Sequence, residues 1–163
     1  MLKLIVGLLL ITSTVLCELK LVCYWNHNNG PVSVVDAQTC THLHYSFLTL
    51  DSNSLQMRFQ SSDEPNGLKQ VLALKSQNSN LKIVAALGGG SDGGDGKYGR
   101  LVVNPQSRAN FVRHAVEFLN QHNFDGLDFD WEYPACPHTD CEAVGHRPEK
   151  PGFAAILRVF FKK

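Results

Sequence analysis

The sequence predicts a parallel α/β sheet with helices packed outside it. Three observations carry that reading. Short apolar runs of strand length recur along the chain, segments with helical periodicity lie between them, and one run, DGLDFDWEYP at residues 125–134, sets acids against bulky apolar residues in strict alternation. Strands separated by helices are joined by crossovers, which is the connection parallel pairing needs. With 163 residues the chain can bury one core at most. No internal repeat, low-complexity tract or linker divides it.

The elements follow in order. Lys3 supplies a positive n-region, Leu4 to Ile11 an apolar h-region and Thr12 to Cys17 a short segment of smaller residues, so residues 1–17 read as a signal peptide and the mature chain begins near Glu18. The competing reading, a membrane anchor, needs ~20 apolar residues. Leu19 to Trp25 and His42 to Leu50 read as strands, and Leu68 to Gln77 as a short helix. Lys82 to Leu87 reads as a buried strand running into glycines. Asn104 and Pro105 make a helix start, Asn as cap and Pro at the first position, and Val112, Ala115, Val116 and Leu119 give that helix its apolar face. Phe124 to Tyr133 is the next strand. Phe153, Ile156, Leu157, Phe160 and Phe161 recur at i, i+3, i+4, i+7 and i+8, the spacing of an amphipathic helix.

Composition narrows the function classes. Lys and Arg number 15 and Asp and Glu 15, which removes the electrostatic case for nucleic acid or an anionic membrane. Loss of Cys17 with the signal leaves Cys23, Cys40, Cys136 and Cys141, an even set suited to an oxidising compartment. Cys136 and Cys141 flank the short PHTD segment and are expected to pair locally, leaving Cys23 for Cys40; a zinc site of Cys136, His138, Cys141 and His146 is the rival. The other histidines are scattered and read as surface or satisfied core residues. The loop GGGSDGGDG satisfies G-x-G-x-x-G through Gly88, Gly90 and Gly93, but a dinucleotide fingerprint opens a helix directly, and the next helix is expected only at Pro105. The loop is read instead as a flexible segment at the C-terminal end of a strand, where parallel α/β folds place ligand sites.

The acidic run is the chemical signal. Asp125, Asp128, Asp130 and Glu132 fall within eight residues with no Lys or Arg nearer than Arg113 or Arg147. On a strand Asp128, Asp130 and Glu132 share one face and Leu127, Phe129, Trp131 and Tyr133 the other. Like charges about 4 Å apart repel by roughly 4 kcal/mol at an effective dielectric near 20, so neighbouring carboxylates share protons. An inward row on a barrel, with Glu132 last and nearest the mouth, provides a proton donor for neutral or mildly acidic pH. A polar face of a surface strand and a calcium or magnesium site are the alternatives.

DGLDFDWEYP resembles the D-x-x-D-x-D-x-E signature of family-18 glycoside hydrolases, the chitinases, and KLVCYW, CTHLHYSF and LKIVAALGG are similar to that family's first, second and third strands. The secreted animal enzymes are the nearest type. The resemblance implies a (β/α)8 barrel, a Cys23–Cys40 disulfide, no cofactor and no resident metal. It implies that Glu132 is the general acid, that Asp130 orients the substrate's N-acetyl group, and that Asp128 holds a shared proton beside it. Asp125, of opposite parity, supports the strand's start. Tyr24, Phe47 and Tyr133 are expected against the sugar. The implied partner is chitin or chito-oligosaccharide and the implied reaction endo-type, retaining hydrolysis assisted by the substrate, with a noncatalytic chitin-binding lectin or inactive fragment as the alternative. Ala86 stands where the family usually has Ser, and Gly90 where it usually has Trp. A full barrel needs about 250 residues, so residues 18–163 are expected to be the N-terminal half of one, cut after about the fourth helix, and a monomer when complete.

Overall fold

The computed structural model describes residues 19–28, 30–134 and 149–160. Among the described residues there are five strands: β1 Val22–Asn26, β2 His42–Leu50, β3 Met57–Arg58, β4 Lys82–Gly88 and β5 Gly126–Asp130. Four helices accompany them: α1 Glu64–Ala73, α2 Lys97–Val103, α3 Pro105–Gln121 and α4 Glu149–Phe160. The main sheet runs β1-β2-β4-β5, every pair parallel, and β3 adds to β2 antiparallel through Thr49↔Arg58 and Leu50↔Met57. The predicted class holds: crossovers carry helices onto one face of a parallel sheet.

Alternation along the strands sorts side chains between the faces. Trp25, Leu43, Tyr45, Ile83, Ala85 and Leu87 are buried toward the helices and meet Leu68 and Val71 of α1, Phe111 and Ala115 of α3 and Ile156 of α4 in one apolar cluster, with Leu127 and Phe129 packed against it. Val22, Tyr24, His44, Val84, Ala86 and Asp128 lie on the alternate positions, on the opposite face. Cys23 and Cys40 form a disulfide, Cα atoms 6.0 Å apart, tying β1 to the segment before β2. Cys136, Cys141, His138, His146, Phe161 and residues 1–17, where a signal peptide is expected, lie outside the described residues.

Four expectations need correction. β1 starts at Val22, not Leu19, and Leu19 and Leu21 are exposed; Leu21 still meets the start of β2, its N–H donating to Thr41 Oγ1 at 2.8 Å and its carbonyl accepting from the Thr41 and His42 N–H groups at 2.9 and 3.2 Å. α1 starts four residues early, at Glu64 with Pro65 in its first turn, and ends in a 3-10 turn at Leu74–Ser76. A helix does follow the glycine loop directly: α2 escapes sequence reading because it has seven residues with a glycine inside, and it is held by burial of Tyr98, Leu101 and Val102. A Cβ on Gly152 of α4 would collide with the Val102 carbonyl oxygen, so α4 rests directly on the backbone of α2. Finally, β5 stops at Asp130. Its partner β4 turns away at Gly88 and Gly89, both with positive φ, and the Gly89 N–H closes the ladder on the Asp130 carbonyl at 2.8 Å. Glu132 and Tyr133 therefore stand beyond the strand.

The Asn104 cap is as the sequence predicts. Its side chain accepts from the Gln106 and Ser107 N–H groups at 2.8 and 3.2 Å, with Pro105 first in α3.

Candidate active site

The acids project from the C-terminal end of β5 on the face away from the helices. In a flat sheet the first and fourth strands stand about 14 Å apart. The Tyr24 hydroxyl on β1 nevertheless donates to Asp128 Oδ2 on β5 at 2.6 Å, so the sheet curls and the acids face its concave side. His44 of β2 reaches the same oxygen, its Nδ1 lying 2.9 Å from Asp128 Oδ2. Burial, the hydrogen bond to Asp128 and the charges of Asp128 and Asp130 all push the Tyr24 phenol well above its ordinary value, which keeps it a donor.

Asp130 sits one register step beyond, opposite Gly88. Burial, then the negative charges of Asp128 and Glu132, raise its carboxyl above the ordinary value. It therefore keeps a proton to higher pH than an isolated aspartate would. Glu132 accepts from the Tyr133 hydroxyl, and that bond, with the charge of Glu132, raises the Tyr133 phenol. A Cβ placed on Gly90 would lie 3.4 Å from Glu132 Oε2. The loop thus passes over the carboxyl as bare backbone.

The aromatics divide. Leu127, Phe129 and Trp131 take the outward side: Phe129 meets Tyr98, Phe111 and Phe153, and Trp131 stacks on Tyr98 at 5.7 Å. Tyr133 does not continue that buried face, being 56% exposed, because the chain has already left the strand. Tyr24 is 55% exposed, its ring 4.7 Å from His44 and 6.3 Å from Phe47. Phe47 lies in the register irregularity between Ser46 and Leu48, and its ring would be 3.3 Å from a Cβ on Gly89.

Asp125 is apart from the row. Its Oδ2 takes the Lys75 ammonium at 2.6 Å and the Ile83 N–H at 2.7 Å, joining the start of β5 to β4 and to the turn after α1.

Two residues escaped sequence reading. His44 was one of several scattered histidines, and only the curl of the sheet brings it to Asp128. Asp92, inside the supposedly flexible loop, is the centre of a buried network: it takes the Lys97 ammonium at 2.7 Å, the Tyr98 hydroxyl at 2.6 Å, the Thr49 hydroxyl at 2.5 Å and the Leu50 N–H at 3.2 Å. Ser52 bonds Asp95 at the loop's far end. The loop is clamped to the end of β2. The spacing S-D-G-G-D gives no sign of this, since Thr49 and Leu50 lie some forty residues upstream and Lys97 and Tyr98 belong to a helix the sequence does not announce. Among the described residues no group of three or more His, Cys, Asp or Glu side chains is placed to hold a metal ion.

The family model described as Glycosyl hydrolases family 18 matches residues 20–162. Probable chitinase 10 of Drosophila melanogaster is 36% identical over 155 residues, covering 88% of this chain and 7% of that protein. Among solved structures, catalytic domain 2 of the Ostrinia furnacalis Group II chitinase, a mutant of it in complex with penta-N-acetylchitooctaose, superposes with a TM-score of 0.79 at 36% identity, over 88% of this chain and 39% of that one. Human YKL-39, described as a pseudo-chitinase with retained chitooligosaccharide binding properties, gives 0.67 at 26% identity, over 88% and 40%. The chain spans less than half the length of each of these relatives.

Proposed function

Because the chain belongs to glycosyl hydrolases family 18, we propose that it contributes the acid row of a chitinase, cleaving β-1,4-linked N-acetylglucosamine polymers. The observation that carries this reading is the geometry of a carboxyl beyond the end of β5, Glu132, next to Asp130 and Asp128 on the concave side of a curled parallel sheet, where burial and the neighbouring charges raise the Asp130 carboxyl above its ordinary value. Glu132 protonates the glycosidic oxygen as the bond to C1 breaks, while the substrate's own N-acetyl carbonyl oxygen forms a bond to C1. The result is an oxazolinium, the substrate-assisted exception to the two-carboxylate scheme. Water then attacks C1 and reopens the ring, giving its proton to the Glu132 carboxylate, and configuration is retained.

Asp130 takes the acetamido N–H and balances the positive charge as it develops, an electrostatic role a carboxyl fixed beside the reacting centre performs without reorganising. Asp128 sits behind it. Tyr24, Phe47 and Tyr133 offer apolar ring surface to sugar faces. Among the described residues no helix is long and apolar enough to cross a membrane, and the leader at residues 1–17 with the Cys23–Cys40 bridge supports secretion.

Glu132→Gln tests the assignment. It keeps size and hydrogen bonding but removes the transferable proton, so turnover of a chromogenic chitobioside should fall by roughly 10² to 10⁴-fold while chito-oligosaccharide affinity is kept. Undiminished turnover would end the reading. Binding without turnover in the unmodified chain would favour a chitin-binding lectin instead.

A further inference from the structure

His44 has no part in the reaction as written above, yet it is built into the acid row. Its side chain is only 13% exposed, on a strand position between the core residues Leu43 and Tyr45. Register places Tyr24, His44, Val84 and Gly126 in one line across β1, β2, β4 and β5, with Asp128 one step further on, opposite Ala86. β4 thus lies between His44 and Asp128. On β4 the residue opposite His44 is Val84 and the one opposite Asp128 is Ala86, which presents only a methyl group, so the ring reaches Asp128 over Ala86. Asp128 turns back toward β2 to meet it.

The hydrogen-bond arithmetic fixes the roles. Asp128 Oδ2 already accepts the Tyr24 hydroxyl proton at 2.6 Å, and the Tyr24 ring packs 4.7 Å from the imidazole. With the Tyr24 hydroxyl already donating to that oxygen, the second bond, at 2.9 Å, is made when His44 carries its hydrogen on Nδ1. We propose that His44 is a positioning residue for the acid row, its Nδ1–H and the Tyr24 hydroxyl together holding one oxygen of Asp128 toward β1 and β2 so that Asp128 keeps a fixed place beside Asp130. Deprived of one of two donors, the carboxyl is free to rotate, and the charge next to Asp130 moves with it. The proposal rests on the chitinase reading for its consequence in turnover, but the hydrogen bond itself can be tested without turnover.

The first measurement is on the unmodified chain: nitrogen-15 NMR of the neutral imidazole, which distinguishes Nδ1–H from Nε2–H. Nδ1–H is expected for His44, changing to Nε2–H in Asp128→Ala; an Nε2–H ring in the unmodified chain would overturn the proposal without any variant having to fold. The second is kinetic. His44→Leu removes the donor and should lower kcat for a chromogenic chito-oligosaccharide about tenfold with KM within about twofold, whereas His44→Asn, whose amide nitrogen falls near the position of Nδ1, should recover most of it. Equal loss in both variants, or none in His44→Leu, would sink the idea. A chain that shows the Nδ1–H tautomer but no turnover removes the function reading and leaves the hydrogen bond supported.

Discussion

Asp125 and Asp130 show how one residue type acquires opposite behaviour five positions apart. Burial pushes Asp125 up, but the Lys75 ammonium, the Ile83 N–H and the Lys82 charge outweigh it and hold its carboxyl below the ordinary value. Its folded form is thus the stronger acid, so its stabilisation is present above the unfolded-state value near about 3.9 and is lost as pH falls through the folded one. Asp125→Asn keeps an acceptor for Ile83 but not the charge for Lys75, and should cost about 1 to 2 kcal/mol at pH 7. The gap to the unmodified protein should narrow on acidification from about pH 5 downward; urea midpoints at pH 7 and pH 3 read both, and a gap that stays constant would show that Lys75 contributes nothing through charge. For Asp130 the sign is reversed. Its raised value makes the folded state hold a proton the unfolded chain has already released, so ionising it costs stability as pH rises. The row was legible in the sequence because strand parity alone gathers Asp128 and Asp130 and separates Asp125. His44 was not legible, since its meaning depends on curvature, and no local pattern encodes the curl of a sheet.

Among elements, the loop between β4 and α2 departs furthest from its sequence. Nine residues with six glycines read as mobile, and yet the structure holds them through Asp92 at the centre and Asp95 at the far end. Lys97 and Asp92 are 8% and 10% exposed at the side chain, so neither charge is solvated and each depends on the other. The strands and α3 were legible because periodicity, the Asn104 cap and Pro105 are local signals; α2 and β3 were not, because seven and two residues give no period and their stability comes from packing. The clamp also organises the site. Tyr98, bonded to Asp92, stacks on Trp131, the residue before Glu132, and Gly88 in the same turn is pressed against Asp130. Asp92→Asn strands the Lys97 ammonium in the interior and should destabilise by about 3 kcal/mol or more. Adding Lys97→Met should recover part of that loss. Both are read by denaturant unfolding, and simple additivity of the two single effects would show that the pair does not act as a unit.

For the molecule as a whole, the balance between a covered convex face and an uncovered concave one decides its behaviour. α1 to α4 bury one side of the sheet, while Tyr24, His44 and the acids line the other. Among the described residues β1 and β5 each pair on one side only, and each offers a row of free N–H and C=O groups along its outer edge. In a closed eight-stranded barrel no such edge exists. Here the β1 edge carries exposed Leu21 and Val22, and the β5 edge adjoins an apolar groove of Leu127, Phe129, Leu157 and Phe160, with no Pro or bulge in either strand to discourage pairing. A polypeptide of residues 18–163 produced alone should therefore self-associate, and should bind chito-oligosaccharide weakly, since it spans 39% of a solved relative's chain. Light scattering against concentration tests the first point. Placing Lys at Val22, a residue 44% exposed on β1, should raise solubility if edge pairing is the cause. A monodisperse monomer with a cooperative unfolding transition would show instead that the four-stranded half closes its own edges, and the acid row would then have to work on an open sheet.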